Sequence, residues 1–229
     1  MSLKKCVFVL LLTGLLSSAL AKAQFLDSIS ASFHHKPKVF LNLIGYTSSI
    51  QSEVAAFSGL RVGLSFNRKV KIGIGLAGMK SRLVQPISVK TDTVPYITNG
   101  NLRFGYFETS VEYVFYRKYP WSFGVPLELG IGTVHYEYVK TKDSAYATTP
   151  KHTVIILQPE IKGQYSIFRW MGLGASLGYR FTLYSPDAMN ENFNSPTFSF
   201  GLQIYLDEIY HMVFPRGICG KKEKAVEEQ

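Results

Sequence analysis

Met171-Gly172-Leu173-Gly174-Ala175-Ser176-Leu177-Gly178-Tyr179-Arg180-Phe181-Thr182-Leu183 puts an apolar side chain at every odd position and a small or polar one at every even position. A period of two collects the odd set on one face of an extended strand, whereas a helix of 3.6 residues per turn would scatter it around the axis. Outward from this stretch the same alternation, often with Gly in the small place, predicts strands at Lys38–Tyr46, Val54–Phe66, Val70–Met79, Leu102–Tyr116, Trp121–Tyr138, His152–Phe168, Met171–Tyr184 and Pro196–Leu206. Apolar content is 46% and aromatic content 14%. Beyond residue 24 the apolar runs all fall short of the roughly 18 residues that a spanning helix requires. Strands are the elements that remain.

The connections alternate in length. Asn67-Arg68-Lys69, Arg117 to Pro120 and Arg169-Trp170 are short, while Thr47–Glu53, Lys80–Asn101, Val139–Lys151 and Ser185–Ser195 are longer and rich in turn formers. In an up-and-down barrel all connections of one parity emerge at one end. Short turns at one end and longer loops at the other are the habit of outer-membrane barrels, with the short turns and both termini in the periplasm. The fold class expected is therefore all-β: an eight-stranded antiparallel up-and-down transmembrane β-barrel.

Bulk and apolarity assign the outward face: Leu60, Val62, Leu64 and Phe66; Val70, Ile72, Ile74 and Leu76; Phe107, Val111, Tyr113 and Phe115; the odd residues of Trp121 to Ile131; Ile155, Leu157 and Ile161; the odd residues of Met171 to Leu183; and the even residues of Phe198 to Leu206. The opposite face then holds Arg61, Lys71, Glu108, Glu112, Glu128, Glu160, Lys162 and Arg180, four bases and four acids. A lumen of eight strands is only wide enough to be filled by side chains. Charges buried there need partners, so this set is expected to form a charge network, with Glu128 facing a base such as Lys71, Lys162 or Arg180. Glycines on the same face would relieve crowding, and Gly178 is expected to tolerate a small residue such as Ser. Aromatic residues near strand ends suggest two interfacial girdles: Phe66, Phe115, Tyr116, Tyr119, Trp121, Phe168 and Trp170 at the short turns, and Tyr46, Tyr136, Tyr138, Tyr179 and Tyr184 towards the long loops. Pro126 and Pro159 interrupt two strands, and bulges are the expected accommodation.

Residues 1–23 read as a cleaved signal peptide: Lys4 and Lys5, an apolar run from Cys6, and small residues ending at Ala21-Lys22-Ala23. The apolar core is too short for an anchor, and Cys6 is misplaced for a lipoprotein. Its removal takes three lysines, so 22 Lys+Arg against 16 Asp+Glu leaves +6. Cys219 then stands alone, which excludes an intramolecular disulfide. The basic residues are scattered or lie in the tail, as Lys221, Lys222 and Lys224 do, so no nucleic-acid partner is expected. The remaining divisions are an N-terminal periplasmic segment at 24–37, the barrel at 38–206 and a C-terminal periplasmic tail at 207–229. The segment at 24–37 could plug the lumen, cover the periplasmic mouth or be flexible.

The alternating strands, among them Val70-Lys71-Ile72-Gly73-Ile74-Gly75-Leu76 and Phe198-Ser199-Phe200-Gly201-Leu202-Gln203-Ile204-Tyr205-Leu206, resemble those of the eight-stranded outer-membrane barrels of OmpA, OmpX and OmpW type. The chain looks most like the outer membrane protein beta-barrel families widespread in Bacteroidetes. The resemblance spans about residues 38 to 206 and implies residence in the cell outer membrane. It also implies outer-membrane lipids and the barrel-insertion machinery as partners, the latter reading the last strand.

The sequence shows no Gly-rich phosphate loop, zinc-spaced Cys pair, Gly-x-Ser-x-Gly elbow or His-Glu-x-x-His signature. No catalytic, metal or cofactor site is expected, and the chain reads as a non-enzyme. His135 and His152, with Glu137 and Asp143 nearby, could bind a metal or activate a serine, but more often such residues are solvated side chains. His34-His35 reads the same way. The leading function is a structural or surface-interaction barrel whose loops meet an extracellular ligand. Alternatives are transport of small hydrophobic molecules through a lateral opening near Pro126 and Pro159, an outer-membrane lipid-modifying enzyme, and a soluble lipocalin-like barrel. The last is disfavoured because its bulky residues would crowd a narrow interior.

Overall fold

A computed structural model describes residues 29–50, 53–89, 96–140, 146–185 and 193–214. The strands are β1 (Lys38–Ile50), β2 (Glu53–Phe66), β3 (Val70–Met79), β4 (Leu83–Val89), β5 (Tyr96–Lys118), β6 (Trp121–Val139), β7 (Tyr146–Thr148), β8 (His152–Phe168), β9 (Met171–Tyr184) and β10 (Ser195–Tyr205). All pairings are antiparallel, and eight of the strands close a ring in the order β1-β2-β3-β5-β6-β8-β9-β10, β10 returning to β1. Closure leaves the ring without an edge, so every strand inside it finds a partner on both sides.

The period-two reading fixes the faces. Inward positions such as Asn42, Arg61, Glu108 and Gln203 are buried, while Leu60, Ile74, Phe107, Ile131, Leu177 and Phe200 are exposed on the outside. That outer surface is an apolar band where water would meet a soluble domain. It is the surface a hydrocarbon layer solvates. Val70 departs from the assignment: it is buried beside the β2–β3 turn. In that turn Asn67 and Arg68 both have positive φ, 46° and 50°, and Lys69 N–H donates to the Phe66 carbonyl at 2.9 Å. Two consecutive left-handed residues closed by this bond form the type I′ hairpin, whose twist suits the flanking strands.

Four expectations are corrected. Within the expected long connection Lys80–Asn101, β4 pairs antiparallel with residues 96–102 of β5, and residues 90–95 between them lie outside the described residues. The expected loop at Thr47–Glu53 is largely strand, leaving only residues 51–52, outside the described residues, between β1 and β2. The barrel ends at Tyr205, and the expected tail begins as a helix, Leu206–Val213, with Leu206 in the helix and not in the last strand. The prolines make no bulge. The β6–β8 pairing stops at Gly124↔Lys162 and resumes in unchanged register at Leu127↔Pro159, and the β8–β9 pairing skips from Leu157↔Phe181 to Glu160↔Gly178. Each ring sits in a gap of the ladder, where the missing amide donor interrupts the pairing and leaves its register unchanged. Bulges lie elsewhere: the shift between Val114 and Tyr116 turns both Phe115 and Tyr116 to the outside.

The helix forms because Leu206, Ile209, Tyr210 and Val213 recur at i, i+3, i+4 and i+7, with Asp207 and Glu208 in the first turn and His211 in the last, as the helix dipole favours. At the other terminus residues 29–33 are helical, and the Phe33 ring packs on Phe66 at 4.8 Å, beside the short-turn end. Residues 1–28, including the expected signal peptide, and residues 215–229, with Cys219 and the tail lysines, lie outside the described residues.

Candidate functional site: a filled lumen and a projecting sheet

All eight charged residues singled out in the sequence point into the barrel, and the structure joins them in distinct groups. Nearest the short turns, Glu112 sits between two lysines: Lys71 Nζ donates to its Oε1 at 2.8 Å and Lys162 Nζ to its Oε2 at 3.2 Å. Both lysines also donate to Gln203 Oε1 at 3.3 Å, and Lys71 donates to Gln164 Oε1 at the same distance. In the middle, Arg61 bridges two acids, with its Nη2 at 2.6 Å from Glu108 Oε1 and 2.5 Å from Glu128 Oε1. Glu128 is thus held by Arg61, and none of Lys71, Lys162 or Arg180 is bonded to it. Glu160 has no ion-pair partner among the described residues. It accepts from Gln158 Nε2 and Ser176 Oγ, both at 2.5 Å.

Arg180 is fully buried and stands higher in the lumen. Its Nε donates to Gln158 Oε1 at 3.3 Å, and its guanidinium lies over the rings of Phe57 and Tyr46, at 4.8 and 5.2 Å from their centroids. Its two terminal nitrogens have no hydrogen-bond partner among the described residues. A cation over aromatic faces in a desolvated site gains part of what those donors lose.

Above Arg180 the lumen changes character. Tyr46, Phe57, Met79, Phe104, Tyr106, Val134, Tyr136, Val154, Ile156 and Phe193 form one buried apolar cluster. Phe57 stacks on Tyr46, Phe104 packs on Phe57 and Phe193, and the Tyr46 and Tyr106 hydroxyls hydrogen-bond to each other. Tyr46, Tyr136 and Tyr138 therefore face inward and are not girdle residues, whereas Tyr179 and Tyr184 are exposed. Sequence reasoning missed this plug. Its signal is present where both faces turn apolar together, as in Phe104-Gly105-Tyr106-Phe107. Between the polar and apolar halves the space left for solvent is about 20 Å³, bounded by Arg61, Glu108, Pro126, Glu160 and Ser176 among others, enough for about one water. A second space, of about 60 Å³, lies at the short-turn mouth and is bounded by Lys71, Gln164 and Tyr205 among others, so the described lumen is largely filled by side chains.

The second feature is the long-loop end. β5 has 23 residues and β6 has 19, about twice the 9–11 that cross a bilayer. Their excess, flanked by β4 and β7, forms a four-stranded sheet beyond the apolar band. It carries exposed Ile97 and Tyr146, at 78% and 87%, and a shallow groove bounded by Arg82, Asn99, Arg103 and Glu137. His135 and His152 lie on the paired strands β6 and β8. Glu137 is engaged by Arg103 at 2.8 Å, and no cluster of three metal-ligating side chains occurs among the described residues. Asp143 lies outside them.

The short-turn end has its aromatic girdle. Trp121 packs against Tyr165 and Phe123, Tyr116 against Phe123, and Phe168 against Trp170. These amphipathic rings suit the boundary between hydrocarbon and headgroups.

No protein-family model and no curated protein sequence matches the chain. Solved structures do resemble it. Neisserial surface protein A superposes with a TM-score of 0.51 at 12% identity, over 74% of this chain and 96% of that one. The outer membrane protein OprG from Pseudomonas aeruginosa gives 0.49 at 11% identity, over 74% and 96%. Taken with the closed ring, the apolar outer band and the filled lumen, the likeness to Neisserial surface protein A shows the fold, an eight-stranded transmembrane β-barrel.

Proposed function

We propose that this chain is exported by a signal peptide cleaved after Ala23 and resides in the outer membrane as a structural or surface-interaction barrel. Its working part is the projecting sheet of β4, β5, β6 and β7. The carrying observation is the contrast between an interior largely filled by paired charges and an apolar plug and a long-loop end built out as ordered strands with exposed apolar and charged side chains. A packed lumen supports neither diffusion of solutes nor a catalytic pocket, while loops on a rigid scaffold are where recognition resides. No catalytic step belongs to this reading. Proteoliposomes carrying the barrel should swell in small sugars no faster than empty vesicles. Swelling that depends on the protein would replace this reading with a pore.

One observation favours a second reading, lateral passage of small hydrophobic molecules. The ladder gaps at Pro126 and Pro159 flank β8 on both sides, and Pro126 borders the residual cavity. A disulfide across the gap, Val125→Cys with Ile161→Cys, should abolish uptake of an apolar dye if the wall opens there. Unchanged behaviour leaves the interaction role.

A further inference from the structure

The helix Leu206–Val213 is held at the short-turn end of the barrel by its acidic side. Glu208 accepts from Lys38 Nζ at 2.9 Å and from Arg68 Nη2 at 2.8 Å, and Arg68 in turn lies over the Tyr205 ring and donates to the Arg169 carbonyl. At about 100° per residue, Leu206, Ile209, Tyr210 and Val213 stand roughly 100–200° around the axis from Glu208. The bonds that fasten the helix thus turn its apolar stripe away from the rim. No helix residue is buried, and Tyr210, Met212, Val213 and the following Phe214 are exposed.

Two observations say what covers this stripe. It is continuous with the lipid-facing surface, because the outward row Phe198, Phe200, Leu202 and Ile204 of β10 runs directly into Leu206. The surrounding rim is also basic: Arg68, Lys69, Arg117, Lys118 and Arg169 occupy the three short turns, against Asp207 and Glu208 on the helix. An apolar stripe leading out of a hydrocarbon-facing wall, ringed by positive charge, matches the headgroup and acyl boundary of an anionic leaflet, which attracts basic segments.

We propose that Leu206–Val213 is an interfacial anchor lying in the anionic phospholipid leaflet at the short-turn end of the barrel, an inference that rests on the barrel spanning a membrane. Nitroxide labels on single cysteines test it, in the full mature chain carrying Cys219→Ser, reconstituted in phosphatidylcholine vesicles with and without phosphatidylglycerol. With phosphatidylglycerol present, the ratio of oxygen to aqueous nickel-complex accessibility should be at least about threefold higher for Val213→Cys than for His211→Cys on the opposite side, as for a face sunk about 5–10 Å into the interface. Without phosphatidylglycerol the difference should shrink. Equal water accessibility at both sites, while a Leu177→Cys label reports lipid, would overturn the anchor and leave the barrel standing. Spin–spin broadening between labels at Val213 would assign the stripe to a second copy of the chain and also overturn it. An aqueous Leu177 label would remove the barrel reading and the anchor together.

Discussion

Arg61 and Arg103 carry the same charge and meet the same kind of partner, yet their surroundings set opposite values on the contact. Arg61 is buried between Glu108 and Glu128, so Arg61→Met strands two neighbouring carboxylates in a closed interior, a loss of about 3–5 kcal/mol. The Arg103–Glu137 pair is 38% and 39% exposed, and Arg103→Met should cost at most about 1 kcal/mol. Urea unfolding in vesicles should show a large loss of midpoint for the first variant and little for the second; equal midpoints would mean the lumen is solvated. Gly178 shows what spacing alone conceals. A Cβ there would lie 2.5 Å from the Pro159 carbonyl oxygen and 2.6 Å from Glu160 Cγ, so even Ser forces the neighbouring backbone to shift, against the tolerance expected from a merely narrow lumen. At Gly163 the added carbon meets only the Phe123 ring, at 3.2 Å. Gly178→Ala should impair refolding, as read by the heat-dependent shift in gel mobility, while Gly163→Ala refolds normally. The identity of the lumen charges was legible because alternation fixes their face. Their pairing was not, because it depends on which strands lie opposite across the barrel and at what height.

The ring strands were legible as elements because the period of two runs through most of each of them, interrupted only locally, as at the Val114–Tyr116 bulge of β5. The C-terminal helix was hidden by Leu206, which completes the alternation of β10 and also opens the pattern Leu206, Ile209, Tyr210 and Val213. The hairpin of β4 and β5 was hidden by its polar, turn-rich sequence around Pro86, which an outer edge strand accepts because one side of it has no ladder to complete. The helix dock responds to acid. Partial burial alone would raise the Glu208 carboxyl, but the hydrogen bond and charge of Lys38, followed by Arg68, outweigh it and hold the carboxyl below its ordinary range. A carboxyl depressed in the docked state contributes fully above its free value of about 4.3, and the contribution is lost as pH falls through the docked value. Hydrogen exchange of residues 206–213, corrected for its intrinsic pH dependence, should therefore lose protection below about pH 4. Glu208→Gln should be weakly docked with little change over that range. A wild-type helix equally protected across it would show that Glu208 does not fasten the dock.

At the scale of the whole molecule, one alternating pattern separates two solvents. The outward rows form a continuous apolar band. The inward rows are filled twice over, by balanced charges towards the short turns and by an aromatic plug towards the long loops. A soluble barrel with these strands would have to turn its bulky face inward, and the register of the closed ring places that face outside. Orientation in the membrane follows from the ends: a cysteine at Ile97 in the projecting sheet should react with an impermeant reagent on intact cells, and one at Asn67 should not. The reverse pattern would invert the topology. The most direct test of the account is tryptophan fluorescence in a Trp121→Phe, Trp170→Phe background reconstituted with lipids brominated deep in the acyl chain. Leu177→Trp should be strongly quenched and Phe104→Trp, in the plug, should not; quenching at Phe104 with none at Leu177, in folded protein, would contradict the assignment of every face.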